Sequence, residues 1–108
     1  MNKELVFYTQ DSGKTPFTRW ISQIRDGVAR DKITARLLRL EKGHYGDAKH
    51  LRAGVWELRI DFGPGFRIYF AEEKQKLVVV LLLGGVKKTQ PEDINTAIRY
   101  WEDYKRRH

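Results

Sequence analysis

Residues 54–70 read GVWELRIDFGPGFRIYF, and the alternation within this stretch decides the fold. Trp56, Leu58, Ile60 and Phe62 alternate with Glu57, Arg59 and Asp61. Successive side chains of a strand point to opposite faces, so one face is apolar and the other charged. Gly63-Pro64-Gly65 then interrupts the run with turn chemistry. Beyond it, Phe66, Ile68 and Phe70 share one face, with Arg67 and Tyr69 on the other. The stretch predicts two antiparallel strands that bury an aromatic face and present Glu57, Arg59, Arg67 and Tyr69 together on the opposite side. Two arginines with a carboxylate and a phenol suit phosphate chemistry. Ordinary pairing of Glu57 and Arg59 with cross-strand neighbours accounts for the same residues.

On the C-terminal side, residues 72–76 read as a polar turn and residues 77–83 (LVVVLLL) as a strand covered on both faces, flanked by Gly84-Gly85. Lys87-Lys88 follow. Thr89-Gln90-Pro91-Glu92 has the Thr-x-x-Glu form of a capping box. It opens a helix with Ile94, Ala97, Ile98, Trp101 and Tyr104 at helical spacing, ending in Lys105-Arg106-Arg107-His108. On the N-terminal side, residues 45–52 read as a loop that brings Lys49, His50 and Arg52 to the edge of the hairpin. Residues 31–42 predict a helix with Ile33, Leu37 and Leu40 on its buried stripe, Arg30, Arg36 and Arg39 off it, and Gly43 as C-terminal cap. Thr15-Pro16 starts an earlier helix carrying Phe17, Trp20, Ile21 and Ile24, with Asp26-Gly27 at its end. Residues 4–9 predict a first strand. The two helices, joined by a short link, predict an antiparallel helical hairpin. Trp20, Trp56 and Trp101 all fall on apolar stripes and are assigned to the core.

The chain has 108 residues and a formal charge of +7, with a pI near 9.8. That length fits one compact domain over residues 1–108. The positive excess lies in residues 1–54 and 84–108, while residues 55–83 are balanced. Such a field attracts nucleic acid or an acidic protein. No apolar run approaches the roughly 20 residues that span a bilayer, and the N-terminus lacks the pattern of a signal peptide. A cytoplasmic protein with no membrane partner is expected. The absence of cysteine excludes disulfides and thiolate metal sites. Three scattered histidines make no zinc site. Neither a metal nor a cofactor is expected.

The combination VWELRIDFGPGFRIYF, LVVVLLLGGVKKTQPEDI and a last helix ending YWEDYKRR resembles the RelE/ParE superfamily of toxins from bacterial toxin–antitoxin modules, and within it the HigB-like, phage Gp49-like branch. The resemblance covers nearly the whole chain. It implies a small α+β, RelE-like fold: an antiparallel sheet packed with an N-terminal helical hairpin and a C-terminal helix. It also implies a concave basic surface and a neutralising antitoxin, of helix-turn-helix type in the HigB-like modules. The RelE and HigB branches cut messenger RNA on the ribosome; the ParE branch inhibits DNA gyrase and is not an enzyme. By the same resemblance, Arg67 stands where the ribonucleases contact the scissile phosphate, Arg59 where a second cation faces that site, and Lys87 and Lys88 at the basic pair after the last strand. Glu57 stands where one type of ribonuclease has a lysine and another a glutamate base. The sequence departs from the pattern near its C-terminus. Ile94 falls near the position of the tyrosine or histidine that donates a proton, and His108 ends the chain too late to replace it.

Metal-free RNA cleavage uses the 2′-hydroxyl as nucleophile on the adjacent phosphate. It needs a base near that oxygen, cations for the extra transition-state charge and an acid for the 5′-oxygen. Arg59 and Arg67 suit the second role, because guanidinium meets phosphate in a two-pronged geometry. Glu57 and His50 are the candidate bases; a loop histidine is otherwise simply solvated. Lys49, Arg52, Lys87 and Lys88 are candidate phosphate ligands. Lysines beside a helix N-terminus are electrostatically misplaced, which points to a use beyond folding. Tyr69 is either a platform for a nucleobase or ordinary sheet packing.

Overall fold

In the computed structural model, which describes residues 2–73, 75 and 77–108, the chain runs β1 (Glu4–Phe7), α1 (Pro16–Ser22), α2 (Gly27–Glu41), β2 (Ala48–Arg52), β3 (Val55–Ile60), β4 (Phe66–Glu73), β5 (Val78–Val86), a 3₁₀ turn (Lys87–Thr89) and α3 (Gln90–Arg107). The five strands form one sheet in the order β1-β5-β4-β3-β2. The α+β class holds, with the helical pair before the hairpin and one helix at the C-terminus. Three pairings are antiparallel, but β1 lies parallel to β5, so the sheet is mixed rather than wholly antiparallel. Between β1 and β5 the chain makes both α1 and α2 and strands β2, β3 and β4 of the same sheet, and so long a separation permits a parallel neighbour, which no strand pattern reveals.

The hairpin register is as expected. Leu58, Ile60, Ile68 and Val79 are buried on one face, and Trp56 is half-buried there against Phe70. Helices α1 and α2 cover this face through Phe17, Ala29, Ile33 and Leu40. The opposite face is not open. Helix α3 lays Ala97 and Trp101 over Val55, Tyr69, Ala71, Val80 and Leu82, making a second core. Its far end is tied down by Tyr8, whose hydroxyl donates to Asp103 at 2.6 Å, and by Arg107, which pairs with the same carboxylate.

Several boundaries differ from the sequence reading. Residues 48–52 are strand β2, not loop: Ala53 and Gly54 both take positive φ, as a two-residue type I′ hairpin turn requires. Helix α2 begins at Gly27, because the Asp26 carboxylate accepts from the N–H groups of Val28 and Ala29 and so starts a helix rather than ending one. Glu72 and Glu73 belong to β4; Lys74 and Lys76 of the expected turn lie outside the described residues. Thr89 caps no helix N–H; its hydroxyl lies 2.6 Å from Asp93 Oδ2. Gly43 ends α2 as expected, with φ of 85° and the His44 N–H bonded to the Arg39 carbonyl.

Strand β5 runs through Gly84 and Gly85 because both are points of close approach. A Cβ on Gly84 would overlap the Trp20 ring of α1, and one on Gly85 would overlap the Asp93 carboxylate of α3. Trp20 is itself wedged between Phe17 and Phe66. Gly84→Ala should therefore cost about 1–3 kcal/mol by overpacking. That corresponds to a thermal midpoint lowered by roughly 5–20 °C, read by circular dichroism. An unchanged midpoint would mean that α1 lifts from β5 at no cost.

Candidate functional site

The sheet brings Arg59 and Arg67 face to face: they are directly opposed across β3 and β4. Like charges so placed are destabilising, and the arrangement persists because of Glu57. This carboxylate is fully buried on the same face. Its Oε1 accepts from Arg59 Nε at 2.8 Å, its Oε2 accepts from Gln90 Nε2 at 2.6 Å, and Arg67 Nε stands 3.9 Å from Oε2. The last distance is an ion pair but too long for a hydrogen bond. Arg67 spends one donor on the Phe66 carbonyl, and its buried Nε has no hydrogen-bond partner. Burial of an unspent guanidinium donor is costly in an ordinary core.

Arg59, Arg67 and Lys87 line a cavity of about 200 Å³ together with Asp47, Asp61 and Gly65. Gly65 matters for access: a Cβ there would press on Lys87 and on the Arg67 guanidinium. The backbone of Arg59 is fixed from both sides, its N–H donating to the Asp47 carbonyl and its carbonyl accepting from Arg36 at 2.6 Å. Arg36 also reaches the Tyr45 and Asp47 carbonyls, so one guanidinium holds the rim of the cavity. The hydrogen bond and charge of Glu57 raise the Arg59 pKa further above its ordinary value. The three cations of this concavity exceed its two carboxylates, Asp47 and Asp61, by one charge, a balance compatible with an oxyanion such as phosphate. Among the described residues no cluster of His, Cys, Asp and Glu has the form of a metal site.

The other expected residues divide. Lys49 pairs with Glu57 across β2 and β3 and so lies on the arginine face, exposed. His50 pairs with Trp56 and rests edge-on against its ring, which puts it on the opposite face of the sheet. Arg52 is engaged by Asn95 of α3 at 2.5 Å. Lys88 faces a separate concavity with Thr89, Pro91 and Glu92. Tyr69 is fully buried beneath α3, so its ring offers no face to a nucleobase. Its hydroxyl makes no hydrogen bond, and burial followed by the Glu57 and Asp93 carboxylates pushes its pKa far above the ordinary phenol value. Ile94 packs in the second core. His108 stacks on Tyr104 at the far end of α3, about 27 Å along the helix from Gln90. Gln90, Arg36 and Asp47 are parts of the site that the sequence reading passed over. Gln90 reaches Glu57 only because Gly85 lets the start of α3 descend onto the sheet.

Residues 19–102 match the family described as Phage derived protein Gp49-like. A protein of Haemophilus influenzae, described only as uncharacterized, is 43% identical over 81 residues, which span 75% of this chain and 81% of that protein. The family match over residues 19–102 contains both arginines, Glu57, Lys87 and Gln90.

Proposed function

The chain belongs to the Gp49-like family of phage-derived proteins, in the RelE/HigB-like toxin superfamily and associated with the toxins of toxin–antitoxin modules; from that premise we propose that it is a toxin that cuts messenger RNA on the ribosome and is neutralised by a cognate antitoxin of helix-turn-helix type. The observation that carries this reading is the opposed pair Arg59 and Arg67, held by a buried carboxylate beside Lys87 in one cavity. A fold gains nothing from that opposition; a phosphate site does. In the reaction the 2′-hydroxyl gives its proton to water or to a carboxylate of the cavity, Asp47 or Asp61, its oxygen attacks the neighbouring phosphorus, the bond from phosphorus to the 5′-oxygen breaks, and a cyclic phosphate forms. Arg59 and Arg67 take up the charge that grows on the non-bridging oxygens. Lys87 is the cavity's ammonium donor and the group with a proton to give the leaving oxygen. Glu57 sets the arginines in place, since neither of its oxygens is open to a substrate hydroxyl.

The deciding experiment is controlled expression with and without the partner, followed by mapping of transcript 5′ ends. New ends within translated regions, suppressed by the antitoxin, are expected together with growth arrest. Growth arrest with intact transcripts and gyrase-linked DNA breaks would establish gyrase inhibition in its place. No growth defect at all would sink the toxin reading for this chain.

A further inference from the structure

A second cavity, of about 300 Å³, lies between α2 and the end of β3 and is lined by Lys32, Arg36, Arg39, Ile60, Asp61 and Phe62 among others. Asp61 also lines the arginine cavity, so the two concavities adjoin. Lys32, Arg36 and Arg39 stand at i, i+4 and i+7 on α2 and form one stripe facing the hairpin. Like charges at this spacing destabilise a helix. None of the three makes an ion pair among the described residues. Arg36 is occupied by backbone carbonyls and has a structural use. Lys32 and Arg39 are exposed and have none of that kind; Lys32 Nζ sits 5.1 Å over the half-buried Phe62 ring. An aromatic ring with cations beside it is the combination that binds single-stranded nucleic acid. A base stacking on Phe62 takes the place of the Lys32 ammonium over the ring, and the displaced Lys32 tracks the phosphates with Arg39.

We propose that the Lys32–Arg39–Phe62 groove is a second subsite for single-stranded RNA, holding a nucleotide next to the scissile phosphate as the strand leaves the arginine cavity around the rim at Asp61. This subsite rests on the ribonuclease reading for its substrate but is tested without cleavage. The probe is a fluorescein-labelled single-stranded oligoribonucleotide with 2′-O-methyl sugars, which binds and cannot be cut. Its affinity for the full chain is measured by anisotropy over a range of salt. The Lys32→Gln/Arg39→Gln double variant should reduce the slope of log affinity against log salt by about 1.4, from roughly 0.7 per lost phosphate contact on a single strand. Affinity at low salt should fall roughly tenfold. Phe62→Leu, which keeps the apolar contact with the core, should weaken binding severalfold at unchanged slope. Arg106→Gln, at the far end of α3, should do neither.

An unchanged slope and affinity in the double variant overturns the subsite, as does a wild-type protein that binds no probe. Intact probe binding with lost neutralisation by the antitoxin would also overturn it, by assigning the groove to an acidic protein segment. A wild-type protein that binds with the expected slopes yet cuts no transcript would sink the ribonuclease reading and leave the subsite standing.

Discussion

Arg67→Ala should lower transcript cleavage on translating ribosomes by roughly 10²–10³, the loss expected when one preorganised charged donor to the transition state is removed, about 2.7–4 kcal/mol. On the proposed ribonuclease reading, Arg67 is the cation expected to have the largest differential role. It is buried, its Nε is unspent, and its position is fixed by pairing with Arg59 on β3 and Gly85 on β5. Its field therefore acts from a partly dry site, where charge is screened less than at the surface. Truncation opens no cavity in either hydrophobic core, because the side chain belongs to neither. It removes the like-charge opposition but also one of the two cations beside the buried Glu57 carboxylate, so circular dichroism should show the same fold at a somewhat lower thermal midpoint. Arg67→Lys should recover only part of the activity, since a single ammonium lacks the planar fork. Lys105→Ala, which loses an exposed pair with Glu102 one turn from the end of α3, is the control and should cut as well as wild type. Full cleavage by Arg67→Ala would move the active site elsewhere.

The central hairpin was legible because period-two alternation is a local property: each of Trp56, Leu58, Ile60, Phe66, Ile68 and Phe70 announces its face through its neighbours. The opposition of Arg59 and Arg67 follows from the same alternation once the turn is placed. What stayed hidden depended on contacts made at long range. Residue Tyr69 alternates like a surface residue, yet α3 covers it, and nothing in residues 66–70 records which face the last helix will choose. Strand β2 was obscured because its turn is Ala53-Gly54, where an Asn-Gly would have signalled a type I′ hairpin. That missed strand misplaced His50: as a strand residue opposite Trp56, it belongs to the face away from the arginines. Gly84-Gly85 read as a strand end, whereas they are the places where Trp20 and Asp93 touch the sheet. Gln90 carried no signal, since its role needs the descent of α3 that Gly85 allows.

Glu57→Gln separates two roles that the sequence left joined. As a base, Glu57 would need an oxygen within hydrogen-bond reach of the 2′-hydroxyl. In the structure the side chain is wholly buried, with Oε1 held by Arg59 and Oε2 by Gln90. The geometry therefore favours a positioning role, and the variant should fail chiefly in stability. Glutamine keeps the shape but removes the negative charge that, among the described residues, stands within ion-pairing distance of both arginines. Breaking a buried pair by removing one partner costs about 3–5 kcal/mol. Arg59 is more than a third exposed, so water recovers part of that cost. A loss of about 2–3 kcal/mol is expected, or roughly 10–20 °C in thermal midpoint. Measured below that midpoint, cleavage should fall by no more than about tenfold, well short of the 10²–10⁴ that general-base catalysis supplies. The pH–rate profile should keep its shape, because the titrating groups of the reaction are unchanged. A loss beyond a hundredfold in a well-folded variant, together with the disappearance of an acidic limb from that profile, would instead establish Glu57 as the base and require its side chain to leave Gln90 when RNA binds.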